Sequence, residues 1–242
     1  MPDALFSHPS LAAVYDAFDG DRSDLDFYTD LADELGASTV LDIGCGTGSL
    51  AVRLAMGGRS VVAVDPAEAS LAIARGKTGA AKVTWIHGEV TDLPTLGVDL
   101  AVMTGNVAQV FLTDDAWART LRGVGRAVRP GGHLAFETRR PEYRAWQEWA
   151  EESEADVRDV PGIGTVEARL EVTAVELPLV SFRHTYRFAV DGAVLASDST
   201  LRFRDRGEVE SNLASHGFRV VDVRDAPDRP GREFMFVAQR MA

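Results

Sequence analysis

One strand–turn–helix unit constrains this chain more than any other stretch. An apolar strand ending at Ile43 runs into a turn in which glycine alternates with small residues, Gly44-Cys45-Gly46-Thr47-Gly48. Glycine adopts positive φ readily and has no Cβ, so the backbone can turn sharply and approach a ligand closely. A helix that opens at Ser49 would offer free N–H groups and a partial positive charge to that ligand. The unit predicts an α/β protein with a binding site after the first strand of its sheet.

Apolar strands and amphipathic helices alternate up to about residue 139, which predicts a doubly wound parallel sheet. One helix is well marked, because Thr113 can cap its N-terminus and Pro130 lies beyond its end. A second helix is expected from Ser23 as N-cap through Leu35. The expected strands cover residues 39–43, 60–65, 82–86, 98–103 and 133–138.

The hydrophobic period changes to two after residue 156. Three strands are expected, over 165–175, 181–190 and 194–204, and the second places Phe182, His184, Tyr186 and Phe188 on one face. A period of two is typical of antiparallel strands with one covered face. The chain is therefore divided into a core over 1–156, an antiparallel insert over 157–206 and a C-terminal helix with closing strands over 207–242.

An acid at the end of the second strand points to a nucleoside ligand. Asp65 follows Val61 to Val64, where a carboxylate suits bidentate hydrogen bonding to a ribose diol. A dinucleotide fingerprint would need a third glycine at position 49, where this chain has Ser49. The glycines instead fall at Gly44, Gly46 and Gly48, with Asp42 two residues before the first.

This D-x-G-x-G-x-G run resembles motif I of the class I S-adenosylmethionine (SAM)-dependent methyltransferases. Further segments resemble the family in order: Val61 to Pro66, His87 to Pro94, Arg129 to Leu134 and the last 25 residues. The resemblance implies a seven-stranded, mostly parallel, Rossmann-like sheet whose last strand is reversed, and SAM as cofactor. The cofactor-binding residues that it implies in the core are Asp42, Gly44, Cys45, Gly46, Gly48, Asp65, Pro66, Glu89, Val90 and Thr104. Glu89 stands where the family usually has Asp.

The N-terminal segment adds two candidates. Residues 1–22 are expected to form a partly helical cap, and Tyr15 and Arg22 resemble the lid residues of small-molecule methyltransferases such as those acting on amino sugars. There they would hold the cofactor carboxylate. The alternative is that Tyr15 packs on the core and that Arg22 is solvated, and the sequence leaves both interpretations open.

Candidate acceptor-site residues follow the fourth and fifth strands and lie on the insert. Asn106 and Gln109 come after a strand end that would line the ligand crevice, and they could orient an acceptor. Glu137, at the end of the fifth strand, is a candidate general base, and so are His184 and Tyr186 if the insert covers that crevice. A lone histidine on an apolar face is more often a hydrogen-bonded structural residue.

Composition restricts the partners. The net charge of −12 and the absence of a D/N-P-P-Y/F sequence argue against a nucleic-acid acceptor. The resemblance to small-molecule methyltransferases implies a small metabolite with an N, O or C nucleophile as the acceptor, and the likeness to amino-sugar enzymes, together with the acidic chain, slightly favours an amine. The alternative is a non-catalytic SAM-binding or partner protein. The single cysteine, the lack of an apolar run of membrane length and the N-terminal composition favour a cytoplasmic protein. No metal site is expected, and a homodimer is left open.

Overall fold

The computed structural model describes residues 2–151 and 154–242. Its α-helices are α1 (Ala4–Ser7), α2 (Pro9–Phe18), α3 (Asp24–Glu34), α4 (Ser49–Met56), α5 (Glu68–Gly76), α6 (Asp114–Ala127), α7 (Ala145–Glu151) and α8 (Arg206–Ser215). The Thr113 hydroxyl accepts from the Ala116 N–H at 3.1 Å and caps α6 as expected. Ser23 precedes α3, but its side chain makes no capping hydrogen bond.

The larger sheet has seven strands in the order β10-β11-β5-β4-β1-β2-β3. Their bounds are β1 (Thr39–Ile43), β2 (Ser60–Asp65), β3 (Val83–His87), β4 (Val98–Met103), β5 (Val128–Arg139), β10 (Phe218–Asp225) and β11 (Glu233–Arg240). Strands β1 to β5 are parallel, and β11 runs antiparallel between β5 and β10. The predicted reversal of the last strand is confirmed, as is the doubly wound α/β fold.

The second sheet is antiparallel, in the order β6-β7-β8-β9. It consists of β6 (Asp156–Val160), β7 (Gly164–Glu176), β8 (Leu179–Phe188) and β9 (Val194–Arg202). Sequence patterning anticipated the last three strands and missed β6. Four of the five residues of β6 are exposed and three are charged, so it carries no apolar alternation. At the edge of the sheet, β6 is instead held by the backbone hydrogen bonds of its antiparallel pairing with β7.

Two apolar layers sandwich the seven-stranded sheet. One is formed around Trp117 of α6 and Phe136 of β5, both 1% exposed. The other joins Tyr28 of α3 and Leu54 of α4 to the opposite face of β1 and β2. Burial of these side chains on both faces accounts for the continuous apolar runs of the parallel strands.

The apolar face of the insert packs within the same chain. Tyr186 and Phe188 join α1 and α2 in one cluster, where the Tyr186 ring lies 5.5 Å from that of Phe18. Phe182 packs 5.4 Å from Trp149 of α7 in a second cluster. The insert therefore packs against α1, α2 and α7 of the same chain.

Candidate functional site

The glycine turn joins β1 to α4 through three residues in the left-handed region. Gly44, Gly46 and Gly48 have φ values of 68°, 53° and 78°. A Cβ on Gly48 would clash with the Trp85 ring and lie 2.8 Å from the Ala74 Cβ, so this glycine is required for packing. A Cβ on Gly46 would meet no atom within 4 Å. The space beside Gly46 is therefore free for a ligand that approaches the backbone.

Asp65 ends β2 beside this turn and holds it in place. Its Oδ2 accepts from the Gly46 N–H at 2.8 Å and its Oδ1 from the Ala67 N–H at 2.7 Å. Burial raises the pKa of Asp65, whereas these two N–H groups lower it. Each carboxylate oxygen has further acceptor capacity, so Asp65 can still bind a ribose diol.

Asp42 is a buried carboxyl without a partner. It is 1% exposed, and neither of its oxygens has a hydrogen-bond partner among the described residues. Burial and the charge of Asp65 raise its pKa to about 7, against the lowering effects of the Arg22 charge and of the nearby Ala51 N–H. An unsatisfied carboxyl beside a glycine turn fits the ammonium end of an amino-acid-like ligand.

The cap segment, residues 2–22, brings Tyr15 and Arg22 towards this position. Arg22 forms ion pairs with Asp19 and Asp24, and its charge also reaches Asp42. Burial and the charge of Asp19 raise the pKa of Tyr15 well above its usual range, so the phenol remains a hydrogen-bond donor. The predicted contact of both residues with the cofactor carboxylate stays a prediction.

A polar network that sequence reasoning missed ties α2 to the glycine turn. The Thr47 hydroxyl donates to Asp16 at 2.5 Å, and the Lys77 ammonium lies 2.7 Å from the other Asp16 oxygen. Lys77 also donates to the Ser49 hydroxyl at 2.8 Å. We call Asp16, Thr47, Lys77 and Ser49 the latch. The signal in the sequence was slight: Asp16 adjoins Tyr15, and Lys77 is one of two lysines.

The remaining cofactor candidates line the ends of neighbouring strands. Pro66 follows β2 and is exposed, whereas Cys45 is buried in the core. Glu89 is exposed after β3, with its N–H donating to Asp92 at 3.1 Å. The Val90 side chain is 4% exposed and packs in the core, which leaves its backbone for ligand contact. Thr104 is half-buried after β4.

Asn106 and Glu137 meet where β4 and β5 end. The Asn106 N–H donates to Glu137 Oε1 at 2.7 Å, and the Asn106 side-chain amide donates to Glu233 at 3.1 Å. Asn106, Glu137 and Glu233 are 2%, 4% and 2% exposed. Glu233 begins β11, and its part in this cluster was not anticipated, because only the pairing of β11 with β5 brings it here.

Burial raises the pKa of Glu137 to about 8. The Asn106 N–H and the charge of Arg229 lower this pKa, and the charge of Glu233 raises it. Arg139 completes the cluster, with its Nε 3.8 Å from Glu233 and its guanidinium 5.1 Å from the centre of the Trp149 ring. Glu137 is therefore largely protonated at neutral pH.

Gln109 joins the core to the insert. Its side-chain N–H donates to the Arg202 carbonyl, and its carbonyl accepts from the Arg139 backbone and guanidinium, all at 3.3 Å. Gln109 is 1% exposed. These contacts occupy the Gln109 amide, so its role in orienting an acceptor remains a prediction. The geometry supports a different role for Gln109, which is to position Arg139.

His184 and Tyr186 lie side by side on the covered face of β8, with ring centres 6.1 Å apart. The His184 Nδ1 is buried without a partner among the described residues, and burial lowers the pKa of this side chain. Burial and the charge of Asp19 raise the pKa of Tyr186 to about 12. At neutral pH His184 is a neutral imidazole that can accept a proton, and Tyr186 is a phenol that can donate a hydrogen bond.

The described part of the chain offers no ready site for a metal ion. Residues 2–151 and 154–242 contain no group of three or more His, Cys, Asp or Glu side chains placed to hold one. Over the same ranges, no helix combines the length and the apolar character that crossing a bilayer requires.

Comparison with known proteins places this geometry in context. The family described as a methyltransferase domain matches residues 40–132. An uncharacterized methyltransferase of Mycobacterium bovis is 37% identical over 106 residues, which are 43% of this chain and 52% of that relative. This chain thus spans about half the length of that relative.

Solved structures match over nearly the whole chain. The sugar N-methyltransferase KedS8 from Streptoalloteichus has a TM-score of 0.79 at 19% identity, covering 100% of this chain and 96% of its own. SAM-bound CalS10, an amino pentose methyltransferase from Micromonospora echinaspora, has a TM-score of 0.72 at 22% identity, covering 94% and 97%. At these identities the structures show the fold alone.

Proposed function

We propose, on the premise that the chain carries a class I SAM-dependent methyltransferase domain, that the protein transfers a methyl group to a nucleophile of a small metabolite. One observation carries the proposal. Three features lie together at the carboxyl edge of the sheet. They are the buried Asp42, which has no hydrogen-bond partner among the described residues, the open space beside Gly46, and Asp65, which can bind a ribose diol. Ligands of open α/β sheets bind at this edge.

Each cofactor-binding residue would contact a different part of SAM. Asp65 would accept from the ribose hydroxyls, and the glycine turn would lie against the methionine part of SAM. Asp42 and Arg22 would face its ammonium and carboxylate ends, respectively. The segment from Glu89 to Val90 would border the adenine, and Tyr15 would close the site from above. When bound, SAM supplies an electrophilic methyl group on a positively charged sulfur.

The acceptor side consists of residues from three elements. Asn106 follows β4 and Glu137 lies near the end of β5, whereas His184 and Tyr186 lie on β8 of the insert sheet, where Tyr186 packs against Phe18 of α2. Neutral His184 would remove a proton from the acceptor, as would Glu137 in the minority of molecules in which it is ionised at neutral pH, and Tyr186 would donate a hydrogen bond to the acceptor. The insert and the cap segment would exclude water from the reaction. Structural neighbours named as sugar and amino pentose methyltransferases support a small-molecule acceptor.

Calorimetry and turnover together test this function. Titration with S-adenosylhomocysteine should give saturable binding, and Asp65→Ala should weaken it by about 1.5–3 kcal/mol, as expected for lost charge-assisted hydrogen bonds. Methyl-labelled SAM with a metabolite panel should then give a labelled small product. Binding without turnover of any acceptor would favour the non-catalytic alternative, and the absence of binding would overturn both.

A further inference from the structure

Two arginines at the end of the insert donate to the backbone of the segment that follows β4. This segment covers residues 104–113, and we call it the β4 loop. Arg204 donates to the Phe111 carbonyl at 2.6 Å, and Arg202 donates to the Leu112 carbonyl at 3.2 Å. Hydrogen bonds from a charged donor are stronger than those between neutral groups. The two arginines therefore hold the second half of the β4 loop from the side of the insert.

Arg204 carries a buried charge, since the residue is only 2% exposed. Its guanidinium lies 5.4 Å from the centre of the Trp117 ring and also donates to the Ala108 carbonyl at 3.4 Å. Burial and the charge of Arg202 lower the pKa of Arg204 to about 10, so the side chain is still charged at neutral pH. A well-packed apolar residue often stabilises such a position as well as a buried ion does. Packing alone therefore does not account for an arginine here.

Glu208 of α8 joins the two arginines into one unit. Its Oε1 lies 2.9 Å from Arg202 Nη2 and 3.4 Å from Arg204 Nε. Asp114, at the start of α6, pairs with the same Arg202 nitrogen at 2.7 Å, and the Arg202 carbonyl accepts from the Gln109 side chain at 3.3 Å. We call Arg202, Arg204 and Glu208 the clamp. The clamp connects the end of β9 and the start of α8 to the β4 loop.

The first half of the β4 loop reaches both sides of the candidate site. The Asn106 N–H donates to Glu137 Oε1 at 2.7 Å. Val107 lies against the glycine turn, because a Cβ on Gly44 would come within 2.7 Å of the Val107 Cγ2. Asn106 has a left-handed backbone with φ of 61°, a conformation that costs a non-glycine residue free energy and persists only where the surrounding structure holds it. The contacts of the second half of the loop supply such a hold.

We propose that Arg204 is a positioning residue, through which the clamp keeps Asn106 in place against Glu137. The inference rests on the proposed function, in which Asn106 and Glu137 belong to the acceptor side of the site. Arg204 acts through the carbonyls of the β4 loop, and Glu208 keeps its guanidinium in place. The end of the insert thereby fixes the backbone at the acceptor side as well as covering the N-terminal helices.

The protonation of Glu137 separates positioning from a mere change of charge. The Asn106 N–H lowers the pKa of Glu137, so a loosened β4 loop should raise that pKa. Removing the negative charge of Glu208 without moving the loop would favour the Glu137 carboxylate and lower the same pKa. The two explanations therefore predict shifts of opposite sign in Glu208→Ala.

Hydrogen exchange measured by mass spectrometry on the full chain tests the proposal. Arg204→Met should speed exchange over residues 104–113 by about tenfold, as expected for lost hydrogen bonds to a charged group, while β1 to β3 exchange as in wild type. Arg204→Lys keeps the charge without the planar fork and should restore part of the protection. Glu208→Ala should speed exchange over the same residues, and this partly exposed helical position provides a second variant if Arg204→Met fails to fold.

Infrared titration supplies the second measurement. A protonated-carboxyl band that is missing from Glu137→Gln identifies this residue, and the midpoint of its titration should rise in Glu208→Ala. Arg206→Met and Glu210→Ala are the matched controls, because they break an exposed ion pair on the same helix. Neither control should change the exchange of residues 104–113 or the midpoint.

The positioning role is overturned if residues 104–113 exchange as in wild type in the clamp variants, or if β1 to β3 exchange faster to the same degree. It is overturned as well if the Glu137 midpoint falls or stays constant in Glu208→Ala, or if wild type lacks the band. Saturable binding of S-adenosylhomocysteine to wild type would confine each of these results to the clamp. The absence of that binding overturns the proposed function instead.

Discussion

Single residues decide whether the glycine turn serves packing or binding. Gly46 and Gly36 both have positive φ, and a Cβ at either would meet no atom within 4 Å, but only Gly46 lies at the candidate cofactor site. Valine at either position should cost about 1–2 kcal/mol of backbone strain. Gly46→Val should in addition weaken S-adenosylhomocysteine binding by at least about tenfold, whereas Gly36→Val should not.

Thermal denaturation and calorimetry on the two variants separate these effects. Equal affinity of Gly46→Val and wild type for the cofactor product would place the ligand elsewhere. Gly48 is unsuitable for this comparison, since a side chain there would enter the space of Trp85 and Ala74.

Asp42 should make the free protein less stable as the pH rises. Its pKa is raised to about 7 in the fold, against about 3.9 for an ordinary Asp. The folded state therefore holds more protons than the unfolded state between about pH 4 and 7, and the contribution of this group to stability falls across that window. Asp42→Asn should gain stability relative to wild type from pH 5 to pH 8.

Urea denaturation of the ligand-free proteins at both pH values measures this gain. Asp21→Asn replaces an exposed carboxyl and serves as the control for the loss of one carboxylate. A stability difference between Asp42→Asn and wild type that is the same at both pH values would mean that the Asp42 carboxyl is not buried in the unpaired state described.

At the scale of elements, the latch should set how long a cofactor stays bound. Asp16 of α2 contacts Thr47 and Lys77 directly over the glycine turn. Asp16→Asn and Lys77→Met should each speed release of S-adenosylhomocysteine severalfold, because partly exposed charge-assisted contacts contribute about 1 kcal/mol. Stopped-flow displacement measures the release rate, with Asp21→Asn as the control on the same segment. Unchanged release from both latch variants would show that α2 does not gate the site.

Element positions were predictable where a local pattern fixes them. The bounds of β1, β2 and β4 matched expectation, because each is a short apolar run between turn signals. β5 extends from Val128 rather than from residue 133, since Pro130 and two glycines hid its start in the sequence. β6 was missed because pairing with β7, not its own residues, makes it a strand.

In the candidate site, too, features set by local sequence were predictable and contacts between distant residues were not. The glycine turn and Asp65 were predictable, because their spacing is local. The partners of Asn106 and Gln109 were not, because Glu233 and Arg202 lie 127 and 93 residues away in sequence. The roles of Tyr15 and Arg22 stay predictions, and the structure shows that Tyr15 packs against Phe6 and that Arg22 pairs with Asp19 and Asp24.

Over the whole molecule, the charge argues against nucleic-acid partners. The net charge is −12, and many arginines are paired with acids on the described surface, including Arg183 with Asp198 and Arg224 with Glu34. We expect no submicromolar binding of duplex DNA or RNA at physiological salt. A filter-binding assay over a salt series tests this, and tight, salt-sensitive retention would contradict it.

A homodimer stays a prediction, and it would use surfaces other than the apolar face of the insert, which α1, α2 and α7 cover.

The central place of β11 has a consequence for synthesis on the ribosome. β11 lies between β5 and β10 and delivers Glu233 to Asn106, although it follows almost all of the described chain. Translation adds residues in order, so the glycine turn and β1 to β4 can pair while β11 is still being made. Until residues 233–240 emerge, the β5 edge stays unpaired and Asn106 lacks its carboxylate partner. The nascent chain thus acquires its cofactor half first and its acceptor half last, and the exposed β5 edge is where a chaperone would protect it.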